Sequence, residues 1–173
     1  TNERMETSVP GVYAIGDVNG KQMLAHTASA EGIVAVENIL GGSAQVDYHK
    51  IPACVYSFPE IAVVGLTEEA ARERGHDVQT GTFPFAANGK ALAEGERDGF
   101  VKIVADRQYG EILGVHIVGP YATDLIAEAA NALQLEATLS DLAQTIHPHP
   151  TLSEALMEAA HAGLGMPIHV ANR

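Results

Sequence analysis

A single cysteine, Cys54, is all the thiol chemistry this sequence holds. It excludes an internal disulfide and a CxxC redox pair and fits a reducing compartment, so a cytoplasmic setting is expected. Basic residues are scarce, 10 against 22 acidic ones, giving a formal charge of −12. A surface of that sign disfavours phosphate backbones and anionic membranes, so neither nucleic acid nor a bilayer is expected as a partner. No apolar run approaches the ~18 residues of a membrane span, and Thr1-Asn2-Glu3-Arg4 lacks the shape of a signal peptide. Internal repeats and low-complexity tracts are missing too. What 173 residues leave is one proper core with room for an extra arm.

The chemistry that is present concentrates in His147-Pro148-His149-Pro150-Thr151-Leu152-Ser153-Glu154, ahead of an apolar helical run from Ala155 to Ala160. A residue before proline is pushed out of the α region, so both histidines are expected in extended backbone, with a helix starting at or just after Pro150. An imidazole ahead of the first turn can fold back onto a glutamate inside it. A carboxylate that takes the N–H of one ring nitrogen fixes the tautomer and leaves the other nitrogen to accept a proton. That makes His149 and Glu154 a candidate base and its orienter. The same residues fit a capping box, in which Thr151 caps the helix and Glu154 reaches back to its N–H, leaving Glu154 structural. A third reading, with His147 and His149 as metal ligands, has neither a Cys pair nor HExxH spacing behind it, and no metal is expected.

Along the chain, Val12 to Ile15 reads as a short buried strand that stops at Gly16-Asp17, where open α/β sheets hold ligand hydroxyls. A helix follows from Met23 to Leu40, with Ala25, Ala28, Ile33, Val36 and Leu40 available for one face and Gly41-Gly42 as its stop. Its N-terminus near Leu24-Ala25-His26 presents unbonded N–H groups and a positive dipole end, although a histidine there is most often simply solvent-facing. The small, polar stretch Gly41 to Asp47 reads as a linker, dividing the chain into residues 1–46 and 47–173.

Beyond it, Ile51–Phe58, Ile61–Gly65, Val78–Phe85, Phe100–Ala105 and Ile112–Val118 are strand-like, the last two joined as a hairpin. Thr67 opens a short helix, Asn88 to Asp98 reads as an exposed loop with a turn of helix at most, and helices are expected from Thr123 to about Leu135, Ser140 to Thr145 and Leu152 to Leu164. The sum is an α+β unit, an antiparallel sheet with helices on one side, preceded by a strand–helix piece.

Thr7 to Asp17 resembles the second flavin-binding motif of the FAD-dependent pyridine nucleotide–disulfide oxidoreductases. That resemblance implies that Asp17 hydrogen-bonds the ribityl chain of FAD and that Met23, Leu24, Ala25 and His26 lie at the flavin's pyrimidine edge. Residues 47–173 resemble the same family's dimerisation domain. Pro59-Glu60-Ile61-Ala62-Val63-Val64-Gly65-Leu66-Thr67-Glu68 and Gly114-Val115-His116-Ile117-Val118-Gly119-Pro120 are similar to its dihydrolipoyl dehydrogenase branch. The octet looks like that branch's active-site signature, implying His149 as acid–base and Glu154 as its partner, serving the flavin and disulfide of a second subunit. Glutathione reductase relatives share the His-Pro-Thr core, and Leu-Ser-Glu favours the lipoyl enzymes.

The resemblance further implies a homodimer, NAD as electron acceptor and a lipoyl-bearing carrier domain as partner. The family's two GxGxxG loops and its redox-active cysteine pair are absent from this sequence. The chain is therefore expected to be a fragment, the end of a FAD domain plus the interface domain, inactive alone. A non-catalytic dimerisation module is the competing reading, supported by 46% apolar content and an apolar final helix.

Overall fold

A computed structural model describes residues 1–171. The chain forms two compact units, Thr1–Ile51 and Pro52–Arg173. The boundary falls later than the polar linker suggested, because Tyr48 is hydrogen-bonded to Glu31 and so belongs to the first unit.

The first unit is built on helix α1, Ala25–Ile39. Its small core is Met5, Val34 and Ala35, with Tyr13, Ala44 and Val46 packed around them. The expected strand Val12–Ile15 does not form. Tyr13 makes one bridge to Glu6, while Val12 and Ile15 are 49% and 40% exposed. A strand needs neighbours on its ladder, and here the segment has one such contact. The expected helix face is also reversed: Ile33, Val36 and Leu40 are exposed, whereas Thr27, Glu31, Val34, Ala35 and Asn38 are buried. Polar groups can occupy that stripe because they are bonded within the unit. The Asn38 amide, for example, donates to the carbonyls of Arg4 and Ala44 at 3.2 and 2.9 Å.

The second unit is the expected α+β layer. Five antiparallel strands lie in the order β1-β2-β5-β4-β3: β1 Ala53–Val55, β2 Glu60–Gly65, β3 Val78–Pro84, β4 Phe100–Asp106 and β5 Ile112–Gly119. β4 and β5 are the expected hairpin, with Lys102 opposite His116 and a bulge at Val104/Ala105. Alternation along β4 decides the two faces. Val101, Ile103 and Ala105 enter the main core, under α4 (Ala122–Gln134), α5 (Leu139–Gln144) and α6 (Glu154–Gly163). Val104 points to the opposite face, where short α2 (Glu68–Glu73) covers it with Ala71.

Two expectations fail in this unit. Asn88–Asp98 holds more than the single turn expected there, the six-residue helix α3, Gly89–Glu94. Buried Asn88 caps it by accepting the Ala91 N–H at 2.9 Å, and Ala91 enters the core. The apolar face of α6 is not left for a partner either: Ala155, Leu156, Ala159 and Ala160 are buried against the sheet. Gly81 of β3 permits that approach, because a Cβ there would overlap the Ala159 carbonyl and the Gly163 backbone. Exposed apolar side chains lie elsewhere, among them Val55, Tyr56, Phe58 and Ile61 along the β1–β2 edge and Ile146. No helix among the described residues is long and apolar enough to cross a membrane.

Candidate active site

The octet forms a tight bend before α6, and its first function is to lock itself. Asn88, besides capping α3, donates from its side chain to the Thr151 carbonyl at 3.0 Å. The Thr151 hydroxyl donates to the Pro148 carbonyl at 2.7 Å and lies 3.0 Å from the Ser153 hydroxyl. The His149–Pro150 peptide bond is cis. Helix α6 begins at Glu154, later than the expected start near Pro150, because Thr151 uses its hydroxyl inside the bend instead of on a helical N–H.

His147 is a structural residue. Its side chain is 4% exposed, with Nε2 on Glu128 Oε1 at 2.7 Å and Nδ1 on the Thr145 carbonyl at 2.9 Å. Both ring nitrogens are thus occupied, tying the bend to α4 and the end of α5.

His149 differs on each count. Its side chain is 76% exposed, and its Nδ1 lies 2.9 Å from Glu154 Oε1. The carboxylate can only accept, so Nδ1 carries the proton and Nε2 keeps its lone pair for an external acid. Glu154 Oε2 accepts the Thr151 N–H at 2.8 Å. Each Glu154 oxygen thus takes one donor, the ring on Oε1 and the Thr151 N–H on Oε2, while the expected capping box does not form, because the N-cap is Ser153 and carries no side-chain cap bond. Burial pulls the Glu154 carboxyl up, but the Thr151 and His149 hydrogen bonds outweigh it and hold it below the usual carboxylate range. An ionised carboxylate behind the ring favours the imidazolium that a proton on Nε2 would create.

The residues expected around a flavin lie in the first unit. Gly16–Asn19 form a single 3-10 turn, with Asp17 exposed on it. Met23, Ala25 and His26 are exposed and Leu24 half-buried at the start of α1, whose first turn carries no side-chain cap. Sequence reasoning missed what holds the turn. Glu31, fully buried, accepts the Gly16 N–H at 2.6 Å through Oε2 and the Tyr48 hydroxyl at 2.6 Å through Oε1. Burial pushes the Tyr48 phenol up and the Glu31 carboxylate adds to it, while the bonds onto Glu31 draw its own carboxyl down against its burial. No periodicity could have announced this pair, since Glu31 reads as an ordinary surface glutamate and Tyr48 lies in the supposed linker. An exposed acceptor at Asp17 and an uncapped helix start suit a hydroxylated chain and an electron-rich carbonyl, so the residues present fit the flavin roles.

These features define a class. Residues 51–160 match the pyridine nucleotide-disulphide oxidoreductase dimerisation domain, and residues 1–32 match the pyridine nucleotide-disulphide oxidoreductase model. The chain belongs to the pyridine nucleotide-disulphide oxidoreductase family. Among its relatives, it is 56% identical over 172 residues to the dihydrolipoyl dehydrogenase of Thermus scotoductus, covering 99% of this chain and 37% of that protein. The mitochondrial dihydrolipoyl dehydrogenase of Pisum sativum is 50% identical over 169 residues, 98% of this chain and 34% of that protein. The crystal structure of LpdA from Mycobacterium tuberculosis superposes with a TM-score of 0.87 at 33% identity, over 93% of this chain and 35% of that one. A HOCl-induced flavoprotein disulfide reductase from Escherichia coli, RclA, gives 0.82 at 26% identity, over 92% and 37%. The chain thus spans about a third of the length of the relatives it matches.

Proposed function

We propose that this chain is the C-terminal portion of a dihydrolipoyl dehydrogenase, its first unit, residues 1–51, completing the FAD domain and its second, residues 52–173, forming the interface domain. His149 and Glu154 supply the acid–base pair for oxidation of dihydrolipoyl groups. The observation that carries this reading is the His149 Nδ1 to Glu154 Oε1 bond beneath an exposed ring.

Thiolate, not thiol, attacks sulfur, so a dihydrolipoyl thiol must lose its proton first. His149 Nε2 accepts that proton, and the Glu154 carboxylate stabilises the resulting imidazolium. The thiolate then attacks an enzyme disulfide held by a part of the protein outside this sequence. A second deprotonation closes the lipoyl disulfide and leaves the enzyme cysteines reduced. FAD, when bound, supplies the two-electron relay from those cysteines to NAD. Asp17 is assigned to a ribityl hydroxyl, and Met23, Leu24, Ala25 and His26 to the pyrimidine edge.

Two such chains form a homodimer in which each His149 serves the partner's disulfide, and a lipoyl-bearing carrier domain of a 2-oxo acid dehydrogenase or related complex delivers the substrate. The setting is cytoplasmic, and the isolated chain is inactive. In the full-length enzyme, His149→Gln lowers lipoamide turnover by ~10²–10⁴ and leaves FAD bound. Near wild-type turnover would remove His149 from the mechanism.

A further inference from the structure

One helical turn beyond Glu154, on the same face of α6, stands a second carboxylate, Glu158. It is 2% exposed and takes two bonds from His169: the ring Nδ1 on Oε1 at 2.5 Å and the backbone N–H on Oε2 at 3.3 Å. His169 is 65% exposed at the side chain, a geometry that repeats the His149–Glu154 arrangement with an outer imidazole on an inner carboxylate. All four groups line one cavity of about 260 Å³, with Phe83 and Leu92 as its apolar wall.

We propose that Glu158 and His169 are positioning residues for the first pair, a second histidine–carboxylate couple whose balanced charge sets the pH at which His149 exchanges its proton. The inference rests on the reading of His149 as the proton acceptor.

A carboxylate this deeply buried is costly without a donor or a cation, and His169 supplies both. A carboxylate bonded to an imidazolium carries no net charge, so the bonded couple is balanced as a unit. The field of His169 reaches Glu154, where it favours the carboxylate. Among the described residues, no other titratable group lines the cavity. On α3, Lys90 bonds Glu94 at 3.0 Å, and His147 bonds Glu128. β3 contributes Phe83 and no titratable group to the cavity wall.

Removing one member of a neutral couple exposes the charge of the other. In the full-length enzyme, assayed with dihydrolipoamide and NAD, His169→Gln leaves the Glu158 anion uncompensated and still hydrogen-bonded. The acid limb of the kcat/KM profile then moves to higher pH, by about 0.5–1 unit for charges roughly a helical turn apart and partly screened. Glu158→Gln removes the anion and moves the limb to lower pH. The double variant, neutral again, returns it towards the wild-type position. Structural damage would add up in the double variant instead of cancelling.

Shifts in the same direction, or an unmoved limb in His169→Gln, overturn the inference. The His169→Gln arm decides the matter alone if Glu158→Gln does not fold, because its change is at an exposed ring. If His149→Gln keeps its turnover, the fault lies with the dyad itself; if it loses turnover and the limb still does not move, only the second couple is wrong.

Discussion

Glu154 holds His149 with one oxygen, Oε1 at 2.9 Å, and has the other occupied by the Thr151 N–H at 2.8 Å. Both partners are donors, so an amide cannot satisfy both. Glu154→Gln must turn its NH₂ towards either the ring or the backbone. The expected outcome is a loss of lipoamide turnover smaller than that of His149→Gln, accompanied by about 1 kcal/mol of lost stability from the weakened Thr151 N–H bond. Steady-state kinetics and chemical denaturation of the same variant check the two halves. Loss of stability with full turnover would leave Glu154 a structural role alone.

The Glu31–Tyr48 pair makes a prediction about the turn bearing Asp17. Glu31→Leu strips the acceptor from the Gly16 N–H and from the Tyr48 hydroxyl, each loss costing about 1–3 kcal/mol where the group stays buried. Tyr48→Phe removes one donor and leaves the Gly16 bond in place, so it should cost about 1 kcal/mol. Full-length Glu31→Leu is expected to release FAD during gel filtration, with Tyr48→Phe retaining it. Equal retention in both would show that the turn needs no clamp.

How much of this could be read from the residues follows from where each signal resides. The antiparallel layer was legible because β4 and β5 alternate cleanly and Asp106 to Gly110 marks their turn. The His149–Glu154 pair was legible because proline restrictions and helix-start geometry are local. The burial of α1 was not: Ile33, Val36 and Leu40 form an apolar stripe by sequence, yet the face that packs within the unit carries Glu31 and Asn38. Choosing between two faces depends on partners distant in sequence. The same holds for His169, whose carboxylate is on a different element, and for α3, where one buried Asn88 turns a polar segment into a helix.

Acid sensitivity has a definite sign. Burial on β5 holds the His116 imidazole below its ordinary range, against the raising effect of its bond to the Leu66 carbonyl. A histidine with a lowered folded value contributes stability that is present above the unfolded pKa of ~6.5 and lost as pH falls towards the folded one. Glu154, held low, adds a second loss at pH values below the ordinary carboxylate range. Denaturant midpoints taken at pH 7.5 and 5 should therefore fall for the wild type and fall less for His116→Gln. Parallel declines would mean that His116 does not contribute.

The α6 face is buried in its own core, so a partner must use apolar side chains exposed elsewhere, among them Val55, Tyr56, Phe58 and Ile61, at 55%, 82%, 85% and 38% exposure. Ile61 lies opposite Val55 in the β1–β2 ladder, and both flank an edge strand whose outer hydrogen-bonding groups are unshared within the sheet. Exposed aromatic and branched side chains clustered in this way mark a protein interface. Light scattering of the 18.2 kDa chain should give the mass of a dimer, and Phe58→Glu should return it to a monomer with its circular dichroism unchanged. The dimer should be colourless, since a partial cofactor site cannot offset the cost of ordering a flavin. A wild-type monomer at tens of micromolar would place the dimer contacts in parts of the protein outside this sequence.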